Sequence, residues 1–142
     1  LSHLAVEDAL AATHIERNGH LQVRRSLTDA EVWGPRSRLV MAMVNLIRNA
    51  AQQSVDVATL SISMVEAGGF VDVRFADSCG GVPADAVAHL FDRGFTLKPD
   101  GRGQGLFLVR EIVENEMGGT VSYSPVEGGA LFTIRLPLRG AK

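Results

Sequence analysis

Two alternating segments on either side of Gly68-Gly69 constrain the fold more than any other feature of the sequence. Residues 57–77, "VATLSISMVEAGGFVDVRFAD", alternate apolar and polar side chains before and after the two glycines. Because successive side chains of a strand point to opposite faces of a sheet, this alternation gives each strand one apolar face. We therefore predict an antiparallel hairpin with one buried face, which a second layer of structure must cover.

Segments with helical periodicity predict the covering layer. Residues 35–54, "PRSRLVMAMVNLIRNAAQQS", begin with a proline, which is favoured in the first helical turn, and carry apolar residues at helical spacing. These apolar residues are Leu39, Met43, Leu46, Ile47 and Ala50. Further helices are predicted at 2–13, 84–91 and 104–117, and further strands at 20–27, 120–125 and 130–138. The predicted fold class is α+β, a two-layer sandwich with helices on one face of a mostly antiparallel sheet.

Composition narrows the setting of the chain. Its 142 residues, 46% hydrophobic, suit one domain over 1–142, with a flexible tail predicted at 139–142. The net charge is only -2, so we expect the chain not to bind nucleic acid and not to contact a membrane directly. A single cysteine and the lack of a long apolar run predict a cytoplasmic location. The first residue is Leu1 rather than Met, which suggests a piece of a longer protein and leaves open a membrane anchor in that parent.

Asn45 and Asn49 are candidate ligands on the long predicted helix. Being four residues apart, they lie on one helix face, at the edge of the apolar stripe. Asparagine is a poor helix former, and its amide oxygen is a hard ligand suited to Mg2+. The alternative is that both amides simply bond neighbouring backbone groups.

Asp77 closes the second strand of the hairpin. It falls in phase with Val73 and Phe75, so its carboxylate points toward the buried side if the strand persists that far. One reading is an aspartate that starts a turn. The other is an acceptor for an exocyclic amine such as that of adenine, with Gly80 and Gly81 allowing the backbone to approach the ligand closely.

Three glycines precede the helix predicted at 104–117. Gly101, Gly103 and Gly105 are placed where free backbone amides and the positive end of a helix hold phosphate, although such triplets also occur in plain flexible loops. The four histidines show no metal-ligand spacing and no nucleophile-base arrangement, so we predict that they lie at the surface.

The order of four motifs resembles the catalytic ATP-binding domain of two-component sensor histidine kinases. The motifs look like that family's N box, first glycine box, F box and second glycine box, and the resemblance extends over nearly the whole chain. In this sequence they are "NLIRNA" at 45–50, "DSCGGVP" at 77–83, "FDRGFTLK" at 91–98 and "GRGQGL" at 101–106.

The resemblance implies a fold, cofactors and a role for individual residues. The fold is that of the gyrase and heat-shock chaperone ATPases, the Bergerat fold, with helices on one face of a mixed sheet and a flexible lid over ATP. Asn49 would bind Mg2+, Asn45 would face the triphosphate, and Asp77 would accept the adenine amine. Phe91 and Phe95 would anchor the lid. The remaining implied nucleotide-binding residues are Cys79, Gly81, Lys98, Gly101, Gly103, Gly105, Leu106 and Thr133.

The resemblance also implies a reaction. ATP-hydrolysing members of the superfamily usually have a glutamate at the position of Asn45, and an amide cannot activate water as a carboxylate does. We therefore expect transfer of the γ-phosphate to a histidine rather than hydrolysis. The implied partners are the helical dimerisation and phosphoacceptor domain of the same kinase, which we expect to precede Leu1, and the receiver domain of a response regulator.

Two other functions remain open at this point. One is a serine kinase of the anti-sigma-factor type from the same superfamily. The other is a degenerate module that works by docking partners. Cys79 supports the second, because it stands where the family motif Asp-x-Gly-x-Gly has glycine. Three interpretations of this cysteine are possible. It is a small apolar residue that the site tolerates, it weakens the nucleotide site, or it is a redox-sensing thiol.

Overall fold

The fold consists of helices and of strands that belong to one sheet. The computed structural model describes residues 2–13, 21–27, 30–53, 58–78, 87, 89–92, 105–126 and 129–139. The helices are α1 (Ser2–Thr13), α2 (Arg36–Gln53) and α3 (Gly105–Arg110), and α3 continues into a π-helical segment (Glu111–Glu116). The strands are β1 (Leu21–Ser26), β2 (Ala58–Ala67), β3 (Phe70–Asp77), β4 (Thr120–Val126) and β5 (Gly129–Pro137).

The five strands form one open, mixed sheet in the order β1-β2-β3-β5-β4. Strand β1 runs parallel to β2, while the other three pairs are antiparallel. The hairpin predicted around Gly68-Gly69 is β2–β3, and both glycines have the positive φ that this tight turn requires. The predicted mixed, mostly antiparallel sheet is confirmed.

Only one face of this sheet carries the core. Along β3 the side chains alternate, so that Val71, Val73 and Phe75 are buried among the helices while Arg74 is exposed. From the helical layer, the predicted stripe of α2 is buried against them. The opposite sheet face is rich in serine, threonine and arginine. The predicted two-layer sandwich is therefore confirmed.

The last helix differs from the prediction in its second half. Residues Glu111–Glu116 are wound as a π-helix, whose wider turn is seen where the amide of Met117 donates to the carbonyl of Ile112 at 3.0 Å. The apolar pattern cannot reveal this difference. Val109, Ile112 and Val113 are buried, and their spacing of i, i+3 and i+4 is also that of an α-helix.

The outer face of the sheet carries an ion pair between neighbouring strands. Arg135 on β5 donates from Nε to Asp72 Oδ1 at 2.7 Å and from Nη2 to Asp72 Oδ2 at 3.0 Å. The two residues are direct partners in the β3–β5 register. Hydrogen bonding from Arg135 lowers the pKa of Asp72 below its ordinary value of 3.8.

This ion pair predicts a pH-dependent contribution to stability. Since the folded-state pKa of Asp72 lies below the unfolded one, the stabilisation is complete above pH 3.8 and is lost as the pH falls through the folded-state pKa. We expect Asp72→Asn to melt at a lower Tm than wild type at pH 7, and the difference to shrink steadily below about pH 4. Thermal melts across this range test the prediction; an equal difference at every pH would contradict it.

Two further predictions concern loops and the end of the chain. Four of the eight residues of the helix predicted at 84–91 fall outside the described residues, and so do all residues except Asp92 of the stretch 92–103, for which the sequence predicts an irregular segment. Arg139, predicted to begin a flexible tail, is held instead: its amide donates to the Glu31 carbonyl at 2.7 Å and its guanidinium lies 5.0 Å from the centre of the Trp33 ring.

Of the helices described, none combines the length and the apolar character needed to cross a membrane.

Candidate functional site

Asp77 lies at the last position of β3, on the helix-covered face of the sheet. It is 9% exposed, and within the described ranges it is the only buried charged side chain. Its direct partners in the neighbouring strands are Leu60 on β2 and Ala130 on β5, both buried. Asp77 takes part in an interaction within the protein, as a buried carboxylate must to offset the cost of leaving water.

The backbone at Asp77 is approached closely by β5. A side chain on Gly129 would bring its Cβ within 1.7 Å of the Asp77 carbonyl oxygen and 3.1 Å of the Ser78 Cα. No Cβ can occupy that space, so glycine is required for β5 to pass this point. Gly129 thus fixes where Asp77 lies relative to the last strand.

Asn45 and Asn49 lie half-buried along one edge of α2, as the helical spacing predicted. The same edge carries Arg38, which lies two turns before Asn45. Arg38 donates from Nε and Nη2 to the two carboxylate oxygens of Glu116, both at 2.9 Å, and this bonding lowers the pKa of Glu116. The asparagine edge of α2 therefore faces α3 and its π-helical extension.

Helices α2 and α3 run antiparallel, and this orientation determines which part of α3 lies nearest to Asn45 and Asn49. The start of α2 is bonded to the end of the π-helical segment through Arg38 and Glu116, and α2 packs along α3. With a similar rise per residue in each helix, the later part of α2 lies level with the start of α3. Asn49, eleven residues after Arg38, thus lies toward α3 and away from Glu116 at the end of the π-helical segment.

The same end of the sandwich contains Asp77. Only residues 54–57 separate the end of α2 from the start of β2, so five peptide links of at most about 18 Å join Gln53 to Ala58. Thr59, next to Ala58, is bonded to Ser78 beside Asp77. The C-terminal end of α2 therefore lies within about 18 Å of Ala58, at the end of the sheet where β3 ends.

Phe91 packs on the core close to this edge. Its ring meets that of Phe132 edge-on, with centroids 6.2 Å apart, and the preceding Leu90 is buried. Phe132 lies on β5 two residues beyond Ala130, the partner of Asp77. Phe91, the first phenylalanine of the F-box motif, thus anchors its segment of the chain on β5 near the candidate site.

Thr133 is not brought to Asp77. Core-facing residues of β5 are Ala130, Phe132 and Ile134, so the period of two turns Thr133 to the outer face. There it lines a groove of about 330 Å³ with Arg74 and Ser122 among others. The family resemblance implied that Thr133 binds nucleotide, but the register pairs Thr133 with Arg74 and places Ala130 beside Asp77.

Several predicted site residues lie outside the described residues, and the roles suggested for them remain predictions. They are Cys79, Gly81, Phe95, Lys98, Gly101 and Gly103. Over the part of the chain that is described, no three His, Cys, Asp or Glu side chains cluster as metal ligands would.

Sequence reasoning missed two residues next to Asp77. Gly129 was assigned to the turn of the closing hairpin, but it is the first, buried residue of β5. Ser78 was read only as a variable position of the glycine motif, although its hydroxyl bonds β2. The apolar alternation of β3 and β5 indicates that the two strands pair. It does not give their register, and without the register the sequence cannot show that Gly129 lies beside Asp77.

The chain was compared with known families and proteins. The family described as histidine kinase-, DNA gyrase B-, and HSP90-like ATPase matches residues 34–140. The sensor histidine kinase ZraS of Escherichia coli O157:H7 is 36% identical over 121 residues, which cover 83% of this chain and 26% of that protein. The sensor protein FixL of Bradyrhizobium diazoefficiens is 31% identical over 142 residues, covering 96% and 28%. The chain spans about a quarter of the length of these curated relatives.

Solved structures share the fold. A mycobacterial sensor histidine kinase, MprB, superposes with a TM-score of 0.85 at 22% identity, covering 95% of this chain and 94% of the other. The nucleotide-free catalytic domain of the histidine kinase ThkA gives 0.83 at 23% identity, covering 94% and 90%. These likenesses confirm the predicted sandwich.

Proposed function

The chain belongs to the family of histidine kinase-, DNA gyrase B- and HSP90-like ATPases, and from this premise we propose that it is the ATP-binding catalytic part of a sensor histidine kinase. In this proposal the chain transfers the γ-phosphate of ATP to a histidine on a separate helical dimerisation domain, from which it passes to a response regulator. The observation that carries the proposal is the buried carboxylate of Asp77 at the end of β3, on the face of the sheet that the helices cover.

Asp77 supplies the recognition of adenine in this proposal. An ionised carboxylate only accepts hydrogen bonds, so it matches the exocyclic amine of adenine and not the carbonyl that guanine carries at the same place. Its burial removes competing water and strengthens the bond. Gly81 and Cys79 would line the same pocket, while Phe91 holds the chain that leads toward the lid.

Asn49 and Asn45 form the phosphate side of the proposed site. The amide oxygen of Asn49 is a hard, neutral donor of the kind that Mg2+ accepts beside waters and phosphate oxygens, and the absence of an acidic cluster in the described parts of the chain agrees with a metal held mainly through the nucleotide. When bound, Mg2+ would neutralise charge on the phosphates. Asn45 lies one turn before Asn49 and would face the triphosphate.

The start of α3 supplies further phosphate contacts. Backbone amides in the first turn of a helix lack intrahelical partners and point outward, and the helix dipole favours anions there. Among the described residues outside its own helix, none has a heavy atom within 4 Å of the place a Cβ on Gly105 would occupy, and a ligand would approach the backbone from that side. Gly101, Gly103, Leu106 and Lys98 would complete this part of the site.

Asn45 favours transfer of phosphate over hydrolysis. A carboxylate at this position can take a proton from an attacking water, whereas an amide cannot. A neutral imidazole nitrogen is itself a nucleophile and needs no such base at the moment of attack. The acceptor histidine would attack the γ-phosphate in line with the leaving oxygen, and we expect it to lie outside these 142 residues, within the parent kinase.

Nucleotide binding is the first test of the proposal. We expect isothermal titration calorimetry of the 142-residue chain to show one site for ATP and for ADP, with affinity for ATP increased by Mg2+. GTP, which presents a carbonyl where adenine has its amine, is the matched control and is expected to bind much more weakly. A chain that is folded by circular dichroism but gives no heat with either adenine nucleotide would contradict the proposal.

The location of the acceptor gives a second readout within the same experiment. After incubation with γ-labelled ATP and Mg2+, we expect the purified chain to retain no acid-labile label. Retained label on one of its four histidines would place the acceptor inside the chain and overturn that part of the proposal.

A further inference from the structure

Ser78, the first residue after β3, makes an unusual pair with Thr59 on β2. The Ser78 amide donates to the Thr59 carbonyl at 3.0 Å, as expected one residue beyond the paired Leu60 and Asp77. In a regular antiparallel ladder, the Thr59 amide would then donate back to the Ser78 carbonyl. It donates instead to the Ser78 hydroxyl, at 2.9 Å.

The hydroxyl therefore takes the place of the carbonyl at the end of the ladder. Thr59 therefore keeps a hydrogen-bond partner for both its amide and its carbonyl where β3 ends. The Ser78 carbonyl is at the same time released from the ladder. Serine and threonine are among the few residues whose short side chain can exchange with the backbone in this way.

The opposite side of the same peptide is also held. The backbone of Gly129 lies so close to the Asp77 carbonyl and the Ser78 Cα that no Cβ fits between them. The peptide between Asp77 and Ser78 is thus fixed by β2 on one side and β5 on the other. Because these contacts hold the backbone at Asp77, they hold the direction of the Cα–Cβ bond from which its carboxylate extends.

We propose that Ser78 is a positioning residue for nucleotide binding: its hydroxyl ends the β2–β3 ladder at Thr59 and so holds the Asp77 carboxylate in the direction needed to accept the adenine amine. This inference rests on the proposed function. Ser78 itself contacts β2 and is not assigned a contact with the ligand.

The test uses the whole 142-residue chain and three variants. Ser78→Ala removes the hydroxyl, Ser78→Thr keeps it, and Ser122→Ala removes an exposed serine on the outer face of β4 as a matched control. We measure the affinity for ADP by calorimetry and the exchange rate of the Thr59 amide by NMR in the absence of nucleotide. Thermal melts report whether each variant stays folded.

We expect Ser78→Ala to weaken ADP binding about three- to tenfold, the effect of losing one hydrogen bond, and to accelerate exchange of the Thr59 amide. Ser78→Thr and Ser122→Ala should match wild type in both readouts. Unchanged affinity in Ser78→Ala, or a lower Tm with unchanged affinity, would overturn the positioning role, as would an equal loss in Ser78→Thr. If wild type binds no adenine nucleotide, the proposed function fails together with this role, whereas the Thr59 amide still reports on the hydrogen bond itself.

Discussion

Replacing Asp77 by asparagine is expected to weaken ATP binding about 10- to 100-fold, the effect of losing a hydrogen bond to a charged acceptor. An amide cannot serve as a purely accepting group, and its NH2 opposes the adenine amine whenever it takes the place of the lost oxygen. Stability should change little, because asparagine keeps the size of the side chain and removes the cost of burying a charge. Calorimetry with ATP and thermal melts measure the two effects separately.

Asp72→Asn is the matched control for this prediction. Both aspartates lie on β3, but Asp72 faces the outer side of the sheet and is bonded to Arg135. We expect this variant to lose stability near neutral pH and to keep its affinity for ATP. Equal losses of affinity in the two variants would show that the charge of β3, and not the position of Asp77, governs binding.

Replacing Gly129 by alanine is expected to reduce both stability and nucleotide binding. A Cβ placed 1.7 Å from the Asp77 carbonyl oxygen cannot be accommodated, so β5 must move away from β3 or Asp77 must shift. Overpacking of this kind costs about 1–3 kcal/mol of unfolding free energy. Since the clash falls on the residue that accepts adenine, we expect ATP affinity to fall more than tenfold, measured at a temperature where circular dichroism shows the variant to be folded.

Gly119→Ala separates the effect on the site from the effect on the fold. Its Cβ would lie 2.1 Å from the Arg135 carbonyl oxygen, a comparable clash with the same strand. Arg135 lies five residues beyond Ala130, about 17 Å along β5. We expect a similar loss of stability from Gly119→Ala with ATP affinity retained. Loss of affinity in both variants would mean that binding depends on general stability and not on the approach of β5 to Asp77.

Much of the fold could be predicted from local patterns. The alternation around Gly68-Gly69 predicted a hairpin with one buried face, and the stripe of α2 predicted the layer that covers it, because burial of apolar side chains follows the period of each element. The family resemblance implied a mixed sheet, but only the structure showed that the parallel pair is β1 and β2. The π-helical winding after α3 could not be predicted, since Val109, Ile112 and Val113 have a spacing that an α-helix also has.

For the candidate site, the sequence by itself determined the chemical groups: a carboxylate at the end of a strand, two amides at the edge of a helix, and glycines before another helix. It could do so because motif spacing and side-chain phase are local properties. Only the tertiary structure decided which of these groups meet. Strand register places Ala130 and Gly129, and not Thr133, beside Asp77, and Ser78 acquires its partner only when β2 lies next to β3. Register depends on contacts between residues far apart in the chain, and no local pattern contains them.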